Sequence, residues 1–342
     1  MTIASQESAA QQARRPTMGD VAARVGVSRP TVSMVMRGLD GPSEETRQKV
    51  LRAAKELGYA PDISARLLRR QRSLQLGVVF TMREPFHVEL VEHLYSCAAE
   101  RGYDLALGAL TPTREAAGVI EELVSHRCEA LILLDTDGGS GPLGAVAAGL
   151  PAVQLACAVA DKSLDVVRSD DAKGVRQAVD HLVELGHRAI AHVDAGSRPG
   201  AAERRRGYRA AMKRHGLTEH VDIIGGDYTQ EAGAKAAEEI LGRDVRPSAV
   251  ITANDDCALG LVDSLLRAHV EVPADISVVG YDDSSLARLP FVNLTTVRQD
   301  AARLAEIAVD ALVERLEAGR TEARKVTLAP QLIVRGTTAA PA

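Results

Sequence analysis

From Leu74 onward the chain alternates short, nearly continuous apolar runs with amphipathic stretches, and this wiring constrains the fold more than any other feature of its 342 residues. The runs are LQLGVVF, DLALGAL, EALILLD, PAVQLAC, AIAHVDA, SAVITAND and ISVVGYDD. Strands that are apolar on both faces belong to parallel sheets covered by helices on either side. About 265 residues of such wiring are too many for one open sheet, which predicts two doubly wound subdomains with a cleft between them.

Charge divides the chain differently. Residues 1–76 carry 13 Lys and Arg against 7 Asp and Glu, whereas the remainder carries 28 against 39, so the net charge of −5 hides a basic head on an acidic body. That asymmetry fits a polyanion-binding module joined to a part that does not bind polyanions. The longest apolar runs fall far short of the ~20 residues of a membrane-spanning helix. The first fifteen residues are polar and lack the apolar stretch of a secretory signal. They are expected to form a disordered tail on a cytoplasmic protein. Cys97, Cys128, Cys157 and Cys257 form no CxxC pair, which suits reduced thiols acting as small core hydrophobes.

In the head, Met18, Val21, Ala22 and Val25 recur at helical spacing before Gly26. A second helix opens at Ser28, a good N-cap, with Pro30 tolerated in its first turn and Val32, Val35 and Met36 facing inward. Gly38 and Gly41-Pro42 end it, and Ser43 with Glu44 and Glu45 starts a third helix whose Val50, Leu51, Ala54 and Leu57 face the same small core. This is the pattern of a helix-turn-helix, which lays its second helix in the DNA major groove. Arg29 and Pro30 are then the expected base readers, Arg29 by a bidentate contact to guanine and Pro30 by apolar contact, with Met34 adding another. Ser28, Thr31 and Ser33 complete the expected DNA-facing set.

The stretches TMGDVAARVGVSRPTVSMVMRG and KELGYAPDISARLLRR resemble the DNA-binding head and hinge of the LacI/GalR family of bacterial transcription regulators, and the likeness continues through the body. The resemblance implies a small all-α helix-turn-helix head and an α/β two-lobed body with parallel sheets, similar to periplasmic sugar-binding proteins. It implies that Ala65 and Arg66 lie in a hinge that becomes helical on operator DNA, with Leu68 as an apolar wedge in the minor groove. The expected divisions are a tail at 1–15, the head at 16–60, a hinge at 61–73, an effector-binding and dimerisation body at 74–336, and a tail at 337–342. The lobes are expected at roughly 75–168 plus 300–328, and 169–298 plus 329–336.

Ligands of open α/β sheets sit beyond the carboxyl ends of strands, so polar residues that follow apolar runs are candidates. Thr81 and Phe86 follow the first run, Asn254 ends SAVITAND, Asp282 ends ISVVGYDD, and Gln299 ends LTTVRQD. Carboxylates and amides suit a polyhydroxylated ligand. The resemblance adds Arg204, in its Arg-x-x-Gly-aromatic motif, and Tyr228, where relatives stack an aromatic ring. Ala156 stands where some sugar-responsive relatives carry an aspartate, and Asp170 is a partial substitute. Asp255 is open to reading as a helix N-cap and Asp283 as a partner of backbone groups. His181 and His187 match a helix-end motif with a capping or surface role.

No GxxxxGK[ST], GxSxG or HExxH occurs, and the nine histidines show no metal-ligand spacing, so neither an enzyme nor a cofactor or metal is expected. The expectation is a homodimeric DNA-binding regulator, a repressor, that binds a pseudo-palindromic double-stranded operator and answers to a small effector, a sugar or related metabolite. The alternatives are a soluble sugar-binding receptor and a regulator that responds to a nucleobase-type corepressor.

Overall fold

A computed structural model of the chain describes residues 16–36, 38–59, 72–134, 149–158 and 162–341. The expected amino-terminal tail and most of the expected hinge lie outside these residues. The chain divides into two compact units, Met1–Ser73 and Leu74–Ala342.

Among the described residues of the first unit, three helices surround one small core. Helix α1 spans Met18–Val25, α2 Arg29–Met36 and α3 Glu44–Leu57. Thr17 N and Oγ1 both donate to the Asp20 carboxylate at 2.6 Å, closing the start of α1. Gly26 ends α1 at φ 74°, a left-handed conformation that glycine adopts without a Cβ penalty. Ser28 Oγ accepts from Thr31 N, and Ser43 Oγ from Thr46 N, each at 3.3 Å, so both serines cap helices as their positions predict. Val21, Ala22, Val32, Val35, Val50, Ala53 and Ala54 form the core.

Among its described residues, the second unit holds two six-stranded sheets. The first has the order β11-β5-β4-β3-β1-β2 and the second β12-β10-β9-β8-β6-β7. Strands β1 (Gln75–Thr81), β2 (Asp104–Leu110), β3 (Ala130–Leu134), β4 (Ala152–Leu155), β5 (Asp165–Ser169) and β11 (Lys325–Leu328) are all parallel. In the second sheet β6 (Ile190–Val193), β7 (Asp222–Ile224), β8 (Ala249–Ile251), β9 (Ser277–Asp282) and β10 (Thr295–Arg298) are parallel, and β12 (Gln331–Ile333) pairs antiparallel with β10. Helices α4 (Pro85–Glu100) and α10 (Ala301–Glu317) cover one face of the first sheet and α5 (Ala116–Ser125) the other. Helices α8 (Gln230–Leu241) and α9 (Asp255–Arg267) cover one face of the second sheet, and α6 (Asp171–Glu184) and α7 (Ala201–Arg214) the other. Burial on both faces explains the apolar runs: β3 and β9 are buried at every position.

The chain passes between the sheets after β5, after β10 and between β11 and β12. At the first two passages an aspartate caps the next helix. Asp170 Oδ1 accepts from Lys173 N at 2.9 Å, and Asp300 Oδ1 from Arg303 N at 3.0 Å, with nearly identical backbone angles.

The segment 337–341, read from sequence as a tail, is instead bound to the second sheet. Val278 N donates to Thr337 O at 2.8 Å, and Thr337 Oγ1 accepts from Thr295 N at 2.9 Å. His187, only 1% exposed, sits 2.9 Å from Ala339 O through Nε2 and 2.8 Å from Ser248 Oγ through Nδ1. His181 Nε2 lies 3.0 Å from Thr338 Oγ1. Both histidines thus fasten the chain end, a role that long-range packing assigns and local spacing conceals.

Candidate effector cleft and nucleic-acid interface

The carboxyl ends of strands from both sheets converge on a solvent-open cleft. Its lining is Glu84 and Phe86 beyond β1, Ala156 beyond β4, Pro199, Gly200 and Arg204 beyond β6, Tyr228 beyond β7, Asn254 beyond β8, Asp282 at the end of β9, and Gln299 beyond β10. Six of the eight expected residues therefore meet there: Phe86, Arg204, Tyr228, Asn254, Asp282 and Gln299.

Thr81 and Asp170 are not in this lining. Thr81 belongs to β1, with its N–H directed to His87 Nδ1 at 3.3 Å, and Asp170 spends its carboxylate on the cap of α6. Asp255 is not an N-cap; Asn254 holds that position, its Oδ1 accepting from Cys257 N at 2.9 Å. Asp255 accepts instead from Ser284 N at 2.7 Å and Thr296 Oγ1 at 2.5 Å. Asp283 pairs with side chains, accepting from Arg298 Nε at 2.6 Å and Arg335 Nη2 at 2.5 Å.

Arg204 is the most heavily engaged group. Only 7% exposed, it donates through Nε to Asp171 Oδ1 at 2.9 Å and through Nη1 to Ala253 O. Its Nη2 lies 3.8 Å from Asp282 Oδ1, and its central carbon sits over the Tyr281 ring. Burial pushes the Asp282 carboxyl well above the usual range, with Arg204 opposing. Gln299 Nε2 donates to Asp282 Oδ1 at 2.8 Å, while Gln299 Oε1 is buried without a hydrogen-bond partner among the described residues. A buried acceptor of this kind is costly unless a donor reaches it. Tyr228 donates its hydroxyl to Pro199 O at 2.6 Å, which leaves the ring as its contribution to the cleft.

Backbone strain gathers at the same place. Asp282 and Asp283 have φ of 115° and 57°, and Ala156 has 73°. Each such residue costs ~1–3 kcal/mol and persists where the surroundings over-determine it, a pattern of ligand clamps. Sequence reasoning missed Glu84, Pro199 and Gly200. Gly200 carries a signal, since at φ 82° it turns the chain into α7, but Glu84 becomes visible only through its partner on the other lobe.

In the head, Ser28, Arg29 and Pro30 are exposed at the start of α2, and Thr31, Ser33 and Met34 are half-buried. A Cβ added to Gly19 would lie 2.7 Å from Arg29 Nη2, so the absence of a side chain on α1 leaves room for that guanidinium. Ala65, Arg66 and Leu68 lie outside the described residues. None of the described helices is long and apolar enough to cross a membrane.

A helical head of this geometry on a two-lobed body with a polar cleft defines a ligand-sensing DNA-binding protein. Residues 17–62 match the model of bacterial regulatory proteins of the lacI family, and residues 179–338 match that of the periplasmic binding protein-like domain. The ribose operon repressor of Escherichia coli K12 is 35% identical over 94% of this chain and 99% of its own length. The lac repressor dimer, solved bound to operator and the anti-inducer ONPF, superposes with a TM-score of 0.78 at 29% identity over 96% of this chain and all of that one. The transcriptional regulator CelR in complex with cellobiose gives a TM-score of 0.69 at 31% identity over 94% of this chain and all of that one. The chain belongs to the lacI family of bacterial regulatory proteins.

Proposed function

We propose that this protein is a transcriptional repressor that binds a pseudo-palindromic operator as a homodimer and releases or grips it according to a small uncharged effector, a sugar or related polyol, in the interlobe cleft. On this reading Ser28, Arg29, Pro30, Thr31, Ser33 and Met34 meet the major groove, and Ala65, Arg66 and Leu68 act at the minor groove. Phe86 and Tyr228 pack against the effector, while Arg204, Asn254, Asp282 and Gln299 take its hydroxyl groups. The protein works in the cytoplasm, where operator DNA is found, and binds its effector without turnover.

One observation carries the effector half: the buried Gln299 Oε1, without a partner among the described residues and beside an Asp282 already engaged by Gln299 Nε2, asks for a hydroxyl donor inside the cleft. An effector alters operator affinity only through its differential affinity for two arrangements of the protein, ~1–3 kcal/mol in typical systems. The test is a mobility-shift titration of the full chain on a duplex from its own regulatory region and on a random duplex, with and without pentoses, hexoses, disaccharides and purines. The expected result is specific retention that one sugar changes. Equal retention on both duplexes, or a response to a purine alone, overturns the reading.

A further inference from the structure

Asp255 lies outside the cleft lining and is 1% exposed, yet both of its oxygens act on the turn that carries Asp282. Oδ2 accepts from Ser284 N at 2.7 Å. Oδ1 accepts at 2.5 Å from Thr296 Oγ1, and that hydroxyl in turn accepts from Asp283 N at 3.4 Å. The main-chain N–H groups of Asp283 and Ser284 are thus tied, one through Thr296 and one directly, to a single carboxylate. A Cβ on Gly280 would overlap Asp255 Oδ1, so the glycine at this point of β9 gives the carboxylate its place. Asp255 has a fixed base. It opens α9, whose start is set by Asn254 Oδ1 accepting from Cys257 N at 2.9 Å and Asn254 Nδ2 donating to Tyr228 O at 3.1 Å. The turn needs such a hold, because Asp282 at φ 115° lies beyond even the left-handed region that aspartate tolerates, and Asp283 follows at 57°. Arg298 Nε and Arg335 Nη2 reach the same turn at 2.6 and 2.5 Å, but their bonds end on the Asp283 carboxylate and not on the main chain.

We propose that Asp255 is a positioning residue of the effector cleft, which holds the main chain of Asp283 and Ser284 and so keeps Asp282 in its strained conformation with its carboxylate aimed into the cleft. Asp255 touches no effector itself. It acts through Asp282, whose Oδ1 meets Gln299 Nε2 at 2.8 Å inside the cleft lining. A turn that relaxed towards ordinary backbone angles would swing that carboxylate away, and a binding group displaced by ~1 Å is too loose to serve its ligand. Asparagine at 255 keeps one acceptor for Ser284 N and offers its amide to Thr296 Oγ1, whereas alanine offers neither. The proposal rests on the cleft being the effector site, as argued above.

The test compares the unaltered full chain with Asp255→Ala, Asp255→Asn and Thr296→Val, by crystal structure and by calorimetric titration with D-ribose. In Asp255→Ala the Asp282 carboxylate is expected to move beyond hydrogen-bond distance of Gln299 Nε2, and ribose to bind at least ~10-fold more weakly. Asp255→Asn is expected to recover most of that affinity with Asp282 back in place. Thr296→Val keeps the shape of the side chain and removes the hydroxyl tied to Asp283 N. It is expected to change both readouts in the same sense as alanine but by less, and it decides the matter should Asp255→Ala fail to fold. A purely structural role would lower the urea midpoint of these variants with Asp282 unmoved and the ribose affinity unchanged, and that result overturns the proposal. Failure of the unaltered chain to bind ribose overturns the choice of ribose as effector. The crystal structures then decide the positioning by themselves, since a displaced Asp282 supports it and an unmoved one overturns it.

Discussion

The guanidinium of Arg204 lies over the ring of Tyr281, its central carbon 3.8 Å from the ring centre, while its Nε donates to Asp171 Oδ1 at 2.9 Å. A single residue thus ties α7 to the start of α6 and to β9, and it borders the cleft with the same side chain. Arg204→Met breaks its buried ion pair with Asp171, a change expected to cost ~3–5 kcal/mol. Arg204→Lys keeps the charge but loses the planar fork that reaches Asp171 and Ala253 O together, so it is expected to fold less stably and to bind effector at least ~10-fold more weakly. Urea unfolding and calorimetric titration measure the two effects. A lysine variant equal to the unaltered chain in both would show that the fork is dispensable.

Gly19→Ala separates stability from recognition in the head. Alanine is favoured over glycine inside a helix by ~1 kcal/mol, and the atom its methyl would meet is the mobile end of Arg29. The variant is expected to melt no lower than the original yet to discriminate less between operator and random duplex, because the Arg29 guanidinium is displaced. Arg29→Ala is expected to lose the same discrimination while keeping salt-sensitive binding. Mobility-shift titrations on both duplexes test this, and full discrimination by Gly19→Ala would remove the placement of Arg29 as a factor.

Truncation after Gly336 strips the second sheet of its bound end. Thr295 N loses its acceptor in Thr337, Val278 N loses Thr337 O, and the buried His187 loses Ala339 O. Each orphaned buried group costs ~1–3 kcal/mol, so a loss of ~3 kcal/mol or more is expected in urea unfolding. An unchanged midpoint would mean that the segment is bound without stabilising the body.

Two buried groups give stability opposite pH dependences. Burial, with the neighbouring Asp283 carboxylate, pushes Asp255 up to about 7 from 3.8. The folded state holds that proton more tightly, so its contribution is full below 3.8 and is lost as pH rises through about 7. Burial pushes His192 down to about 4 from 6.5, so its contribution is present above 6.5 and is lost as pH falls towards 4. Asp255→Asn removes only the first effect. Unfolding free energies from pH 5 to 8 should therefore shift in favour of the variant as pH rises, by up to ~1.4 kcal/mol per pH unit below 7. A difference that stays constant with pH would show that Asp255 is ionised throughout.

Much of this was legible beforehand because its causes are local. The caps Ser28 and Ser43 and the breaker Gly26 act within a few residues of their own positions, and both-face burial writes itself into runs such as ALILL. Strands β5, β7, β11 and β12 escaped the alternation because segments of three to five residues, three of the four with a charged member, carry little periodicity. Asp170 shows the limit at the cleft. A polar residue after an apolar run is a candidate ligand by position, and whether it faces the cleft or caps the helix that follows depends on the crossing between sheets.

Sequence alone determined the trihelical head, the parallel two-sheet body and the strand ends from which a cleft had to be built, since propensity, capping and hydrophobic period are properties of neighbouring residues. Tertiary structure decided which polar groups meet. The Glu84–Arg198 pair joins residues 114 positions apart, and His187 finds Ala339 across 152. Such pairings follow from the packing of distant elements, which brings charges together only after two sheets have formed and closed on one another.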